Sequence, residues 1–294
     1  STNHTCALLD DATTKCWGQN YGGQLGYGDT NHRGDGAGEM GDNLPAIDLG
    51  TGRTATQITA GYGHTCALLD DATTKCWGRG YNGRLGQGDT SHRGDSANEM
   101  GDNLPAIDLG TGRTATQIVA GYGHTCALLD NSQVSCWGSG YNGKLGYGNT
   151  SSRGSNASLT SPLAASIDLG TGHTATQIVA GYGHTCALLD NTITKCWGES
   201  SEGQLGYGDT IRRGDGANEM GDNLPAIDLG TGRTATQITA GYGHTCALLD
   251  DATTKCWGRG YNGRLGQGDT SHRGDSANEM GDNLPAIDLG TGRT

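Results

Sequence analysis

Hydrophobic positions in this chain fall in short blocks, each about the length of a strand, and the blocks recur at a fixed interval. In residues 115–174 the first block is Ala115-Thr-Gln-Ile-Val-Ala120. It is a β-branched run that stops at the Gly-Tyr-Gly turn of 121–123, and it predicts a strand. His124-Thr-Cys-Ala-Leu-Leu129 predicts a second. Asp130-Asn131-Ser132 is turn chemistry, because such side chains bond their own backbone and tolerate left-handed geometry. Gln133-Val-Ser-Cys-Trp137 then returns as the other arm of a hairpin. A glycine-rich stretch from Gly138 to Gly148 and a polar loop follow, and Ile167-Asp-Leu169 predicts a last strand. No segment keeps a helical period beyond about two turns. The expectation is an all-β chain with four short strands per unit.

The unit is repeated. His-Thr-Cys-Ala-Leu-Leu-Asp begins at His4, His64, His124, His184 and His244, a spacing of 60 residues each time. Residues 51–110 and 231–290 are the same string, and variation concentrates between Asn149 and Ser166. The units divide as 1–54, 55–114, 115–174 (with the divergent loop 149–166), 175–234 and 235–294. A glycine-rich module of this size offers too little apolar surface to stand alone, so the units must stack and bury their faces against neighbours. The first unit has no counterpart of Ala55–Ala60, and the last stops at Thr294 before another copy of it. Both features lead to the expectation of a segment from a longer array.

Charge narrows the partners. Asp and Glu outnumber Lys and Arg 31 to 19, a formal net charge of −12. Nucleic-acid binding needs a basic stripe that displaces counterions, and none is present. The same sign opposes docking on an anionic membrane, and no apolar run approaches the roughly 20 residues that span a bilayer.

Three blocks recur in register: His-Thr-Cys-Ala-Leu-Leu-Asp, then Cys-Trp-Gly, then Gly-Gln-Leu-Gly-Tyr-Gly at Gly23–Gly28 and Gly203–Gly208. Gly83-Arg-Leu-Gly-Gln-Gly88 and Gly143-Lys-Leu-Gly-Tyr-Gly148 keep the glycine frame. This pattern resembles the RCC1 (regulator of chromosome condensation) repeat family, and the likeness covers essentially the whole chain. The resemblance implies β-propeller blades, four-stranded antiparallel sheets that usually close a ring of seven. Five units depart from that number, so an open or superhelical tandem array is weighed against a closed ring.

Each unit carries two cysteines: Cys6 and Cys16, Cys66 and Cys76, Cys126 and Cys136, Cys186 and Cys196, Cys246 and Cys256. In a hairpin turning near Asp11, residues whose numbers sum to 22 face each other, and Cys6 and Cys16 do so. Directly opposed Cα atoms lie within disulfide reach, and closing so small a loop contributes roughly 2–3 kcal/mol in the loop-entropy picture. Buried free thiols are the plain alternative, and a zinc site with His4, Cys6 and Cys16 a third, although no Cys-x-x-Cys occurs. Disulfides would place the protein outside the cytosol, extracellular or on a cell surface. Sequons at Asn3, Asn149 and Asn156 fit a glycoprotein.

The long loop of four units contains Arg-Gly-Asp, first at Arg33, Gly34 and Asp35, and has Arg153-Gly154-Ser155 in the third. On an exposed loop this tripeptide can engage integrin-type receptors; the plain reading is a turn with an internal Arg–Asp contact. The same loop holds Asp29, Asp35, Glu39, Asp42 and Asn43, oxygens enough for Ca²⁺, or else a solvated acidic loop. In the third unit the carboxylates vanish together, replaced by Asn149, Ser155, Leu159 and Pro162. His4, Trp17, Tyr21, Tyr81, Tyr141 and Tyr261 invite catalytic or carbohydrate-stacking readings, but residues repeated in every unit are better read as packing. Catalysis needs asymmetric partners with distinct roles, and no nucleophile elbow, phosphate loop or His-Glu-x-x-His occurs. The expectation is a non-enzymatic extracellular structural protein that associates with its own repeats into a filament or matrix. The alternative is a closed propeller that binds a protein partner, of secreted-inhibitor or adhesion type. Nucleotide exchange on a small GTPase fits less well, because disulfides are expected and no basic tail is present.

Overall fold

Strands form where the β-branched and apolar blocks stand. The structure is a computed structural model that describes residues 3–156, 163 and 165–290. The first repeat contributes β1 (His4–Leu8) and β2 (Thr14–Gly18). Each later repeat contributes three: β3 (Ala55–Ala60), β4 (His64–Leu69) and β5 (Thr74–Gly78); then β6 (Ala115–Ala120), β7 (His124–Leu129) and β8 (Val134–Gly138). The pattern continues with β9 (Ala175–Ala180), β10 (His184–Leu189) and β11 (Thr194–Gly198), and β12 (Ala235–Ala240), β13 (His244–Leu249) and β14 (Thr254–Gly258). Every triplet is an antiparallel sheet with the His-Thr-Cys strand in the middle, and β1 pairs with β2 alone. No helix among the described residues is long and apolar enough to cross a membrane.

The hairpin turn is tight for a specific reason. Ala72 sits at φ 64°, with Ala12, Ser132, Thr192 and Ala252 in the same left-handed state. The left-handed residue is therefore the third of the turn triplet and not the acidic one. The Asp71 carboxylate is engaged instead, accepting Thr73 N–H at 3.0 Å and its hydroxyl at 2.6 Å.

Four strands per unit were expected, and three are regular. The segment around Ile47 lies beside the outer strand through Ile47 N–H to Thr14 O at 2.8 Å. In the first repeat the next backbone groups on that edge, those of Cys16, are taken by a side chain and not by a further strand. The Tyr27 hydroxyl accepts Cys16 N–H at 3.1 Å and donates to Cys16 O at 2.9 Å.

The core lies between repeats. Along β4, Cys66 and Leu68 join Leu85, Ile107, Ile118, Leu129 and Trp137. Ala67 and Leu69, on the opposite face, join Leu25, Ile47, Leu49, Trp77 and Leu104. Alternation thus splits one strand between two cores, and all six residues of β4 are buried. Burying a large apolar side chain is worth about 1.5–3 kcal/mol, and each repeat obtains that only with a neighbour. The chain forms two compact units, residues 1–139 with 151–166, and residues 140–150 with 167–294.

Candidate functional site

The histidine of each middle strand anchors a relay between repeats. His4 Nε2 lies 2.7 Å from Thr65 Oγ1, whose hydroxyl donates to Gln24 O at 2.7 Å. A hydroxyl has one proton, so the imidazole must donate from Nε2, which leaves Nδ1 unprotonated. His64–Thr125–Arg84 O and His184–Thr245–Gln204 O repeat the arrangement. The same carbonyls receive the tryptophans: Trp77 Nε1 donates to Gln24 O at 3.1 Å and Trp137 Nε1 to Arg84 O at 3.0 Å. Burial pushes His4 down to about 4 and His184 to about 3. The imidazoles are neutral structural donors, and Trp77, Trp137, Trp197 and Trp257 are wholly buried, whereas Trp17 in the first repeat is half-buried.

A second contact joins the glycine-rich segment of one repeat to the Arg-Gly-Asp loop of the next. Gly83 has φ +77°, and a Cβ there would lie 2.2 Å from Gly154 C, so any side chain would force the loops apart. Gly28 N–H donates to Gly94 O, and Gly88 N–H to Gly154 O, both at 3.1 Å. The arginine is held on both sides: Gly78 and Arg93 exchange backbone bonds at 2.7 and 3.0 Å, and Arg93 pairs with Asp89 at 2.7 Å.

The Arg–Asp contact expected within the tripeptide therefore forms with a different carboxylate. Arg33 pairs with Asp29 at 2.7 Å and lies 5.3 Å over the Tyr27 ring. Glu39 accepts the amides of Gly34, Asp35 and Gly36 at 2.9, 3.1 and 2.9 Å, and the Gly36 amide leads in holding its carboxyl below the usual range. The Asp42 counterpart Asp102 accepts Thr51 N–H at 2.9 Å and Thr51 Oγ1 at 2.6 Å. Asp29, Asp35, Glu39 and Asp42 are not gathered, and no group of three His, Cys, Asp or Glu among the described residues could hold a metal ion.

One functional feature escaped the sequence reading: a buried lysine. Lys75 is 8% exposed, and its Nζ donates to Leu49 O at 3.0 Å and Gly101 O at 2.8 Å. Lys195 and Lys255 repeat this on Leu169, Gly221, Leu229 and Gly281.

All ten cysteines are paired across the hairpins, Cys6–Cys16 through Cys246–Cys256, with Cα atoms 4.1 Å apart. Because the Tyr27 hydroxyl takes Cys16 N–H and C=O from outside, the Cys6–Cys16 pair is of the non-hydrogen-bonded, closer kind. Asn3 lies on the surface with Nδ2 3.1 Å from Gln19 Oε1, and Asn149 Nδ2 donates to Tyr147 O at 3.1 Å. Asn156 is exposed, while the Ser158 of its sequon, with Leu159 and Pro162, lies outside the described residues.

Known proteins share this frame. The regulator of chromosome condensation (RCC1) repeat matches residues 16–68, 76–128, 132–188 and 196–248, and a second form of it matches 55–84, 115–144, 175–204 and 235–264. The Arabidopsis thaliana ultraviolet-B receptor UVR8 is 33% identical over 219 residues, 74% of this chain and 44% of the receptor. Protein pim1 of Schizosaccharomyces pombe is 26% identical over 92% of this chain and 47% of its own length. The human E3 ubiquitin-protein ligase HERC2 is 28% identical over 87% of this chain, which spans 5% of it. The chain thus spans less than half the length of these relatives. Among solved structures, Prp20p from Saccharomyces cerevisiae superposes with a TM-score of 0.69 at 16% identity, covering 97% of this chain and 61% of that one. With the repeat matched over most of its length, and with that fold, the chain belongs to the RCC1 repeat family.

Proposed function

We propose that this chain is a non-enzymatic protein-binding module, built of disulfide-stapled RCC1 repeats and working outside the cell. The observation that carries this reading is a cleft of about 490 Å³ between the first and second repeats, lined by Tyr27, Arg33, Pro45, Asp48, Asn98 and Met100. Polar groups of Arg33, Asp48 and Asn98 share its walls with Tyr27, Pro45 and Met100, the mixed polar and apolar character of a protein-recognition surface. The same residue types recur at Tyr207, Arg213, Pro225, Asp228, Asn278 and Met280. Prp20p, which shares the fold, is described with binding properties to Gsp1p and histones, and its use as a protein-binding scaffold supports a binding role here. Five disulfides support an oxidising compartment. A photo-crosslinker at Asn98 should capture a discrete protein partner in the native setting, while one at the Asp251 hairpin turn should not. Equal capture from both positions, or none from Asn98, would sink the reading.

A second reading, a structural array, is favoured by the interlock itself. Gly23 meets Asp95, Gly83 meets Gly154 and Gly203 meets Asp275 through the same backbone contact. Further copies could join without any new chemistry. Negative-stain electron microscopy under non-reducing conditions decides: regular fibres support the array, and discrete particles at every concentration rule it out.

A further inference from the structure

The exposed tyrosines are used by neither the core nor the interlock. Tyr21, Tyr81, Tyr141 and Tyr261 are 63%, 54%, 65% and 49% exposed. Single exposed aromatics are ordinary on protein surfaces; the way three of these are held is not. Tyr21, Tyr81 and Tyr261 stand edge-on to His32, His92 and His272, with ring centroids 4.5, 4.8 and 4.7 Å apart. The backbone fixes each imidazole in turn: Asn20, Gly80 and Gly260 N–H donate to Nδ1 at 3.1, 3.4 and 3.1 Å. With Nδ1 accepting, the neutral ring carries its proton on Nε2. The second and fifth repeats tighten this further. A Cβ at Gly80 or Gly260 would fall 1.8 or 1.7 Å from the carbonyl oxygen of Ser91 or Ser271, so in these two repeats the approach of the turn to that segment requires glycine, whereas the first repeat forms the same ring pairing with Asn20.

Tyr261 opens onto a cleft of about 390 Å³ lined by Thr270, Ser271, His272, Asp275, Ser276 and Glu279. It is a shallow, open depression, so a ligand would rest on its surface and not be enclosed. Its wall offers three hydroxyls, an imidazole and two carboxyls beside an aromatic ring. Burial and the adjacent Asp275 carboxyl push Glu279 up, so the walls repel further negative charge. Arg259 lies 4.9 Å over the Tyr261 ring with its Nε 3.3 Å from Glu202 Oε1, which sets a carboxylate beside that cation. A ligand that suits the cleft has an apolar C–H face for the ring and hydroxyls around its rim, without net charge.

We propose that the Tyr261 cleft, and its sequence-identical counterpart at Tyr81, bind a neutral pyranose unit of a glycan. The second and fifth repeats share every lining residue: Thr90, Ser91, His92, Asp95, Ser96 and Glu99 match 270–272, 275, 276 and 279. The third repeat keeps Tyr141 but has Ser152 in place of the histidine, and the fourth has Ser201 and Arg212. The chain thus contains its own controls.

The test is saturation-transfer NMR of the intact, oxidised protein with cellohexaose, maltohexaose and chitohexaose as probes. Transfer to the ring protons of at least one sugar is expected, with loss of that signal in Y81A/Y261A and in H92A/H272A. The tyrosines are exposed, so their removal should leave the fluorescence of the buried tryptophans unchanged; the histidine pair gives a second route to the same site. Y141A should bind like the parent. No transfer from any of the three sugars, or equal loss in Y141A, overturns the proposal. So does retention of spermidine by the clefts in place of the sugars, which would assign them to cations.

Discussion

The second and third repeats share their strands but not the loop beneath them. In the second, Lys75 lies buried on two carbonyls, Leu49 O and Gly101 O, with Asp102 beside the same turn. In the third, Ser135 stands at the lysine position, wholly buried, and donates to Leu163 O. The sequence places Pro162 where Asp102 would be. A cation and a neighbouring carboxylate have been lost together. At the Asp102 position, the loss of the acidic residue, which in sequence looks like part of a lost metal site, goes with the loss of the lysine beside it. An acidic loop can be acidic because it shapes its own backbone and surrounds a lysine.

The largest expected effect comes from acid, which attacks the frame both repeats share. His4 and His184 are held at about 4 and about 3 by burial, against an ordinary 6.5. A base with a depressed folded pKa binds fewer protons folded than unfolded. Its contribution is therefore full above pH 6.5 and is lost as pH falls, toward 4 for His4 and toward 3 for His184. At about 1.4 kcal/mol per unit, each relay stands to lose a few kcal/mol. Asp102, held low first by the Thr51 hydroxyl, acts in the same direction, whereas Glu99 and Glu279, raised by burial, oppose it. Melting temperature measured from pH 7 to pH 4 with the disulfides intact should fall steeply below 6.5. A flat profile would mean that the relays do not hold the repeats together.

Exchanging the lysine and the serine breaks the comparison directly. S135K puts a cation into a wholly buried position beside a loop that lacks the aspartate. An uncompensated buried charge costs about 3–5 kcal/mol, and the denaturation midpoint should drop accordingly. K75S removes two charge-assisted bonds and should cost about 1.5–3 kcal/mol. If S135K cost no more than K75S, the carboxylate would be irrelevant to the lysine.

The repeat and its pairing were legible because they depend on near neighbours. A fixed interval of 60 residues sets the architecture, and hairpin arithmetic places Cys6 opposite Cys16. What escaped was every contact whose partner lies in another repeat or across a loop. Asp102 bonds Thr51, 51 residues earlier; Gly83 is shaped by Gly154; and the arginine of Arg33-Gly34-Asp35 answers to Asp29. Trp77 looked like a repeat-defining packing residue and is one, but Tyr261, which recurs in every unit except the fourth, faces solvent. Recurrence identifies residues that matter to every copy and says nothing about which way they point. The one usable cue was covariation inside the chain: position 135 and position 162 depart from the other copies together.

The smallest effect extends the comparison to the outer edge of the sheet, where the repeats differ again. Tyr27 and Tyr207 each bond both backbone groups of the outer cysteine, Cys16 and Cys196. The second repeat has Gln87 there, and its amide donates to Pro105 O at 3.0 Å instead. Y27F deletes one hydroxyl and leaves a donor and an acceptor on Cys16, at a cost of about 1–2 kcal/mol. Q87Y should run the other way and gain up to about 1 kcal/mol by supplying Cys76 with the same hydroxyl. Amide exchange locates the effect better than global stability does: Cys16 N–H should exchange faster in Y27F, and Cys76 N–H slower in Q87Y. Should exchange at Cys76 stay unchanged, the phenol does not reach the edge in that repeat. The glutamine would then belong to a differently built rim, because a hydroxyl that can reach Cys76 has to slow its exchange.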